Sequence, residues 1–252
     1  MENNSTSPLS PVWPTRWPKE AFRLGPSALW LLVVCGAIVA GTIAAAIVIR
    51  TVYGANGDPR GVIEQMLAMG IVYIFMVPFA WWFLPTAARV SLKNLGFVRP
   101  GIATLGIALG GAIAAVIATQ FVGSVVEKLT HAPHAQSIAI AFTHLHQPGA
   151  IALFFFFAAI VGPIAEETIF RLFVFNFGLR YGGFWLGAIL SAVLFGSAHL
   201  DIYNAPALAA IGLIFCAVYY FSKNAFASMI AHGLLNAIAL VVLLIDPSAV
   251  NA

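Results

Sequence analysis

Charge is what this chain has least of. Asp, Glu, Lys and Arg make up 8% of its 252 residues, against 61% hydrophobic ones. A soluble domain carries about 25% charged residues, so a water-soluble domain is excluded and a polytopic membrane protein is expected. The net charge of +3 comes without a basic patch, which leaves no nucleic-acid partner. Cysteine is scarce: Cys35 and Cys216 lie far apart in apolar stretches, so no disulfide framework is expected. Several catalytic signatures are missing as well. There is no HExxH, no GxSxG and no glycine-rich phosphate loop, which removes the zincin, serine-hydrolase and P-loop readings. Residues 1–28 lack the positive start, apolar core and cleavage site of a secretory signal. They read as a polar tail or interfacial segment, with Trp13, Trp17 and Trp30 suited to the headgroup region.

What the chain does have is long apolar runs. A helix needs about 20 apolar residues to cross the hydrocarbon core. Seven stretches meet or approach that length: 28–49, 65–84, 102–126, 150–177, 184–200, 205–222 and 225–245. The expected fold is all-α, a polytopic transmembrane helical bundle of about seven to eight spans, with residues 29–126 forming the N-terminal membrane helices. The short stretch 184–200 runs close to the next, so 184–222 reads as a tight helical hairpin with His199 and Asp201 at its turn. A short interfacial helix is expected at 135–146, inside the loop 127–149 that carries His131, His134, His144 and His146. Their irregular spacing reads as a solvated loop. Gly106 and Gly110 form a GxxxG, a common helix-packing device. Lysine and arginine bias sets the orientation. With the N-terminus in the cytoplasm, the inner side holds Arg16, Lys19, Arg23, Arg89, Lys93, Arg99, Arg180 and Lys223, and the outer side Arg50, Arg60 and Lys128.

Against this apolar background a few polar residues stand out. Glu166, Glu167 and Arg171 lie inside the run FFFFAAIVGPIAEETIFRLFVF, where each carboxylate costs at least about 2.5–3.5 kcal/mol to insert. Glu167 and Arg171 are four apart and share a helix face, so they can pair. Glu166 is rotated about 100° away and is free to face a cavity or another helix. Pro163 just upstream is expected to kink the helix. Phe195 and His199 are four apart near the end of the next stretch, as are His232 and Asn236 in the last one. Glu166, His199 and His232 fall at overlapping depths, about 10–22 Å from the cytoplasmic helix ends. A desolvated carboxylate beside imidazoles suits the activation of water, and imidazole and amide donors suit an oxyanion.

The order EExxxR (Glu166, Glu167, Arg171), FxxxH (Phe195, His199) and HxxxN (His232, Asn236), preceded by LKNLGFVRPG, resembles the CPBP intramembrane protease family. That family includes the CAAX prenyl endopeptidases and the Abi-type bacteriocin-immunity proteins. The resemblance lies in residues 150–245 and implies a catalytic membrane core enclosing an intramembrane cavity. It implies that Glu166 and His199 activate water, that His232 and Asn236 stabilise the oxyanion, and that Glu167, Arg171 and Phe195 support the site. The substrate would be a membrane-associated protein or peptide in the lipid bilayer, and the location a bacterial cytoplasmic membrane. The family's mechanism leaves two options. Zn²⁺ or another divalent metal would be held by Glu166, His199 and His232, or glutamate would act without metal. A reading from another class also fits the buried acid: a non-enzymatic membrane protein, either a proton-coupled carrier or a bacteriocin-immunity factor. The two histidine motifs and the absence of a repeat between halves favour the enzyme.

Overall fold

A computed structural model describes residues 21–23, 70, 73, 77, 78, 80–82, 84–86, 88–131 and 135–251. The expected tail 1–28 and span 28–49 lie outside the described residues apart from 21–23, and the span 65–84 lies mostly outside them. All regular elements among the described residues are helical. The α-helices are α1 (Ile102–Thr130), α2 (Ser137–Thr143), α3 (Pro148–Phe156), α4 (Gly162–Ile169), α5 (Asn176–Ala198), α6 (Ala205–Ser222) and α7 (Ala225–Ile245), with short 3-10 turns at Lys93–Leu95 and Pro247–Asn251. Two π-helical segments, Phe157–Val161 and Phe170–Phe175, join α3 to α4 and α4 to α5.

Among the described residues four helices are long and apolar enough to cross a membrane: Ile102–Thr130, Pro148–Ala198, Ala205–Ser222 and Ala225–Ile245. This is an integral membrane protein. The second of the four is bent into two arms. At 1.5 Å per residue, a straight helix of its length would far exceed a bilayer core about 30 Å thick. It breaks at Gly182 and Gly183, where Gly183 takes φ +69°, a conformation that glycine adopts without strain. The two halves then fold back on each other. Ser191 Oγ donates to Phe170 O at 2.8 Å. A Cβ on Gly178 would lie 2.6 Å from Gly187 Cα, so the hairpin closes backbone to backbone. The expected break between 177 and 184 is therefore present, although the total of seven to eight spans extends beyond the described residues.

The 184–222 hairpin forms as its sequence predicts. Asp201 turns it: Oδ1 accepts from Tyr203 N and Asn204 N, both at 3.1 Å, and its carbonyl accepts from Ala205 N at 2.8 Å. Helices α6 and α7 match their expected bounds, and α1 runs four residues further than expected, to Thr130. The 127–149 loop is correspondingly shorter than expected. It is interrupted by α2, and α3 begins at Pro148. Gly106 and Gly110 face open space on α1 rather than a described neighbour.

The segment before α1 acts as a clasp. Gly96, at φ +90°, lets the chain turn so that its carbonyl accepts from Ala225 N at 2.9 Å. Tyr219 Oη donates to Leu95 O at 2.9 Å, and Asn224 Nδ2 donates to Val98 O at 3.0 Å. The clasp thus fixes the α6–α7 turn, and through it the position of His232 eight residues later.

Candidate active site

Pro163 shapes the backbone beneath the glutamates. The expected kink takes another form: the first π segment absorbs the proline, which sits in the first turn of α4, and its missing N–H leaves an upstream carbonyl to find another donor. π segments cluster at functional sites because they shift the register of everything downstream. They also release carbonyls, and two asparagines occupy these. Asn236 Nδ2 donates to Ala158 O at 2.8 Å. Asn176 Nδ2 lies 3.1 Å from Arg171 O, 3.2 Å from Leu172 O and 2.9 Å from Tyr219 Oη. Gly233 completes the first contact, since a Cβ there would lie 2.5 Å from Ala159 O. Helix α7 therefore docks on the π segment through Gly233 and Asn236, and this sets His232 against the glutamates.

The two glutamates divide as their spacing predicts. Glu167 is sealed, with 1% of its side chain exposed, and its Oε1 lies 2.9 Å from Arg171 Nη1. This is an ion pair by distance, without good hydrogen-bond alignment at Nη1. The guanidinium lies over the rings of Phe195 (4.6 Å) and Phe215 (5.3 Å) and reaches Gly212 O at 3.3 Å. Cation–π contacts of this kind are worth about 2 kcal/mol or more when desolvated. The same Oε1 accepts from His232 Nδ1 at 3.0 Å, a partner that the sequence did not reveal. A carboxylate on one ring nitrogen fixes the tautomer and aims the other nitrogen. His232 Nε2 accordingly faces Glu166 Oε2 at 3.8 Å. Glu166 keeps 20% of its side chain exposed, and its Oε2 has no hydrogen-bond partner among the described residues.

His199 ends α5. Its Nδ1 lies 2.8 Å from Phe195 O, and a carbonyl only accepts, so Nδ1 carries a proton and Nε2 of the neutral ring is an acceptor. Phe195 stands between the histidines, 5.0 Å from the His199 ring and 5.7 Å from the His232 ring. Phe215 stacks on His232 at 4.9 Å. The structure thus gathers Glu166, Glu167, Arg171, His232 and Phe195 into one contact cluster, with His199 on its rim. Asn236 lies beside it, with one N–H committed to Ala158 O and one remaining.

Three contributors were not visible as such in the sequence. Phe215 looked like any apolar residue of its span. Asn176, five residues past Arg171, was a buried amide in an apolar run and so a detectable signal. Tyr73 packs against the Phe142, Phe154 and Phe157 cluster and lies within reach of the Glu166 charge.

A divalent metal fits this arrangement poorly. Glu167 is committed to Arg171 and His232, and among the described residues no three His, Cys, Asp or Glu side chains converge to hold an ion. The trio Glu166, His199 and His232 is not assembled as a ligand set.

The fold and the site together define a helical integral membrane protein with a carboxylate–imidazole cluster inside its bundle. Residues 148–238 match the family model for type II CAAX prenyl endopeptidases, Rce1-like. The chain is 31% identical over 107 residues to the membrane-embedded CAAX protease MroQ of Staphylococcus aureus (strain USA300), covering 40% of this chain and 43% of that one. It is 32% identical over 87 residues to the putative membrane peptidase YdiL of Bacillus subtilis (strain 168), covering 34% of this chain and 36% of that one. The matches span less than half the length of either relative. No solved structure gives a significant match.

Proposed function

We propose that this protein is an intramembrane endopeptidase that hydrolyses peptide bonds in membrane-associated polypeptides. The observation that carries the reading is the environment of Glu166. Its side chain is partly exposed, its buried Oε2 lacks a hydrogen-bond partner, and that oxygen faces the Nε2 of a histidine already oriented by a second carboxylate. Glu166, Glu167, Arg171 and His232 are electrically neutral together when one proton is shared between Glu166 and His232. That mobile proton is what general acid–base catalysis requires.

In this mechanism Glu166 takes a proton from water, while His199 Nε2 accepts a hydrogen bond from the same molecule. The hydroxide adds to the scissile carbonyl and forms a tetrahedral oxyanion. His232 Nε2, when protonated, and the second N–H of Asn236 are the donors for that oxyanion. The proton held by the Glu166–His232 pair then passes to the leaving amine, and the carbon–nitrogen bond breaks. Glu167 and Arg171 orient His232 without touching the substrate.

Quantitative proteomics of membranes from cells carrying the wild type or Glu166→Gln tests the reading. Expected is at least one membrane-associated polypeptide that accumulates uncleaved in the variant, with a cleavage loss on the order of 10²–10⁴-fold in vitro. A Glu166→Gln enzyme that cleaves the same polypeptide at the wild-type rate would refute it.

A further inference from the structure

The bundle has two chemically different ends. The clasp brings Arg89, Lys93 and Arg99 to the end where Lys223 turns α6 into α7. Arg180 lies there too, two residues before the Gly182 break, and Tyr181 Oη donates to Phe22 O at 2.8 Å beside Arg23. No carboxylate among the described residues shares this end. The opposite end carries Glu127 and Lys128 on the last turn of α1, Asp201 in the α5–α6 turn and Asp246 after α7. Hydrogen bonds from Ser248 hold the Asp246 carboxyl below the usual range, so that end keeps its negative charge. Lysine and arginine collect on the cytoplasmic side of membrane proteins, which places the cationic end in the cytoplasm.

The reactive cluster is closed towards that end. Between Arg171 and the clasp lies solid core, with Leu95, Leu172, Phe173, Phe175 and Tyr219 all buried. Towards the other end a second core, with Phe142, Phe154, Phe157, Val161, Leu240 and Leu243, covers the α3 and α7 side, and burial falls off only along the α5 side. Arg171 and Glu167 are sealed, His232 is 6% exposed, Glu166 is 20% exposed, and His199 is exposed on the last turn before the hairpin tip. The tip itself, with Leu200, Ile202 and Tyr203, is exposed as well.

We infer that the site opens to the non-cytoplasmic face of the membrane, so that its substrates are polypeptide segments presented from the outer leaflet or from outside the cell. The direction of the opening stands on packing and charge alone; only the nature of the occupant rests on the peptidase reading.

Cysteine accessibility tests the direction. Ile202→Cys reports the tip, His199→Cys the mouth of the site and Lys93→Cys the cationic end. The parent protein serves as the blank for Cys35 and Cys216. A membrane-impermeant maleimide is applied to intact cells and, separately, after permeabilisation. Expected is labelling of Ile202→Cys and His199→Cys in intact cells, and of Lys93→Cys only after permeabilisation. Labelling of the tip and mouth only after permeabilisation, from both sides, or under neither condition overturns the inference. Ile202→Cys is also assayed for cleavage of the Glu166-dependent polypeptide. Labelling is independent of turnover, so a protein that labels from outside but cleaves nothing refutes the peptidase reading and leaves the opening intact.

Discussion

His232 Nδ1 donates to Glu167 Oε1 across 3.0 Å, joining α7 to α4 through the carboxylate that also holds Arg171. One buried oxygen thus neutralises a guanidinium and orients an imidazole. Removing the carboxylate leaves Arg171 charged and unpaired among Phe195 and Phe215, and breaking a buried pair by deleting one partner costs about 3–5 kcal/mol. Glu167→Ala is therefore expected to lower the Tm strongly in detergent and to abolish cleavage. Glu166→Gln, which replaces a carboxylate whose Oε2 accepts no hydrogen bond and meets His232 only at 3.8 Å, is expected to leave the Tm unchanged or higher. Thermal unfolding of the two variants side by side checks this, and equal losses of stability would show that both glutamates are structural.

Phe195 touches both histidines of the site and its arginine. The rings of Phe170, His199 and His232 and the guanidinium of Arg171 all contact it. Phe195→Leu keeps an apolar side chain but removes the flat surface between the two histidines. The cation–π part of the loss is about 0.5–2 kcal/mol. Expected is a modest drop in Tm with a larger proportional drop in kcat, because histidine orientation suffers more than packing. A stability loss with unchanged kcat would assign Phe195 to packing alone.

Helix positions were legible because run length and polar breaks determine them in a membrane, and α6 and α7 follow their apolar runs to the residue. The Glu167–Arg171 pair was legible from a spacing of four on a helix. The rest was hidden for a physical reason. A π segment shifts backbone hydrogen bonds by one residue and leaves little trace in side-chain chemistry, so only Pro163 hinted at it. That shift decides which carbonyls are free, and hence that Asn236 spends an N–H on Ala158 O. The His232–Glu167 bond joins residues 65 apart in sequence, and no local pattern encodes such a contact.

The donor geometry bears on metal dependence. Because Glu167 is committed and no three donors converge among the described residues, cleavage by the purified protein is expected to survive exhaustive chelation. The check is the rate before and after dialysis against a strong chelator, with metal analysis of the same sample. A loss of activity restored in proportion to added Zn²⁺ would show that the side chains rearrange to bind it.

The contact of α7 with the first π segment gives the sharpest structural test. Gly233 lies so close to Ala159 O that a Cβ would sit 2.5 Å from a backbone oxygen, and backbone cannot yield as a flexible side chain can. Gly233→Ala must push α7 outward, at a cost of about 1–3 kcal/mol by analogy with overpacked cores. The same displacement moves His232 away from Glu166, one residue from the substituted position. Asn236→Ala removes the neighbouring hydrogen bond without adding bulk, and such bonds between membrane helices are worth about 1 kcal/mol. Gly233→Ala is therefore expected to lose more activity than Asn236→Ala if docking is what matters. The reverse order, with Asn236→Ala inactive at near-wild-type Tm, would show that the second N–H of Asn236 acts directly on the oxyanion. Measuring kcat and Tm for both variants separates the two roles.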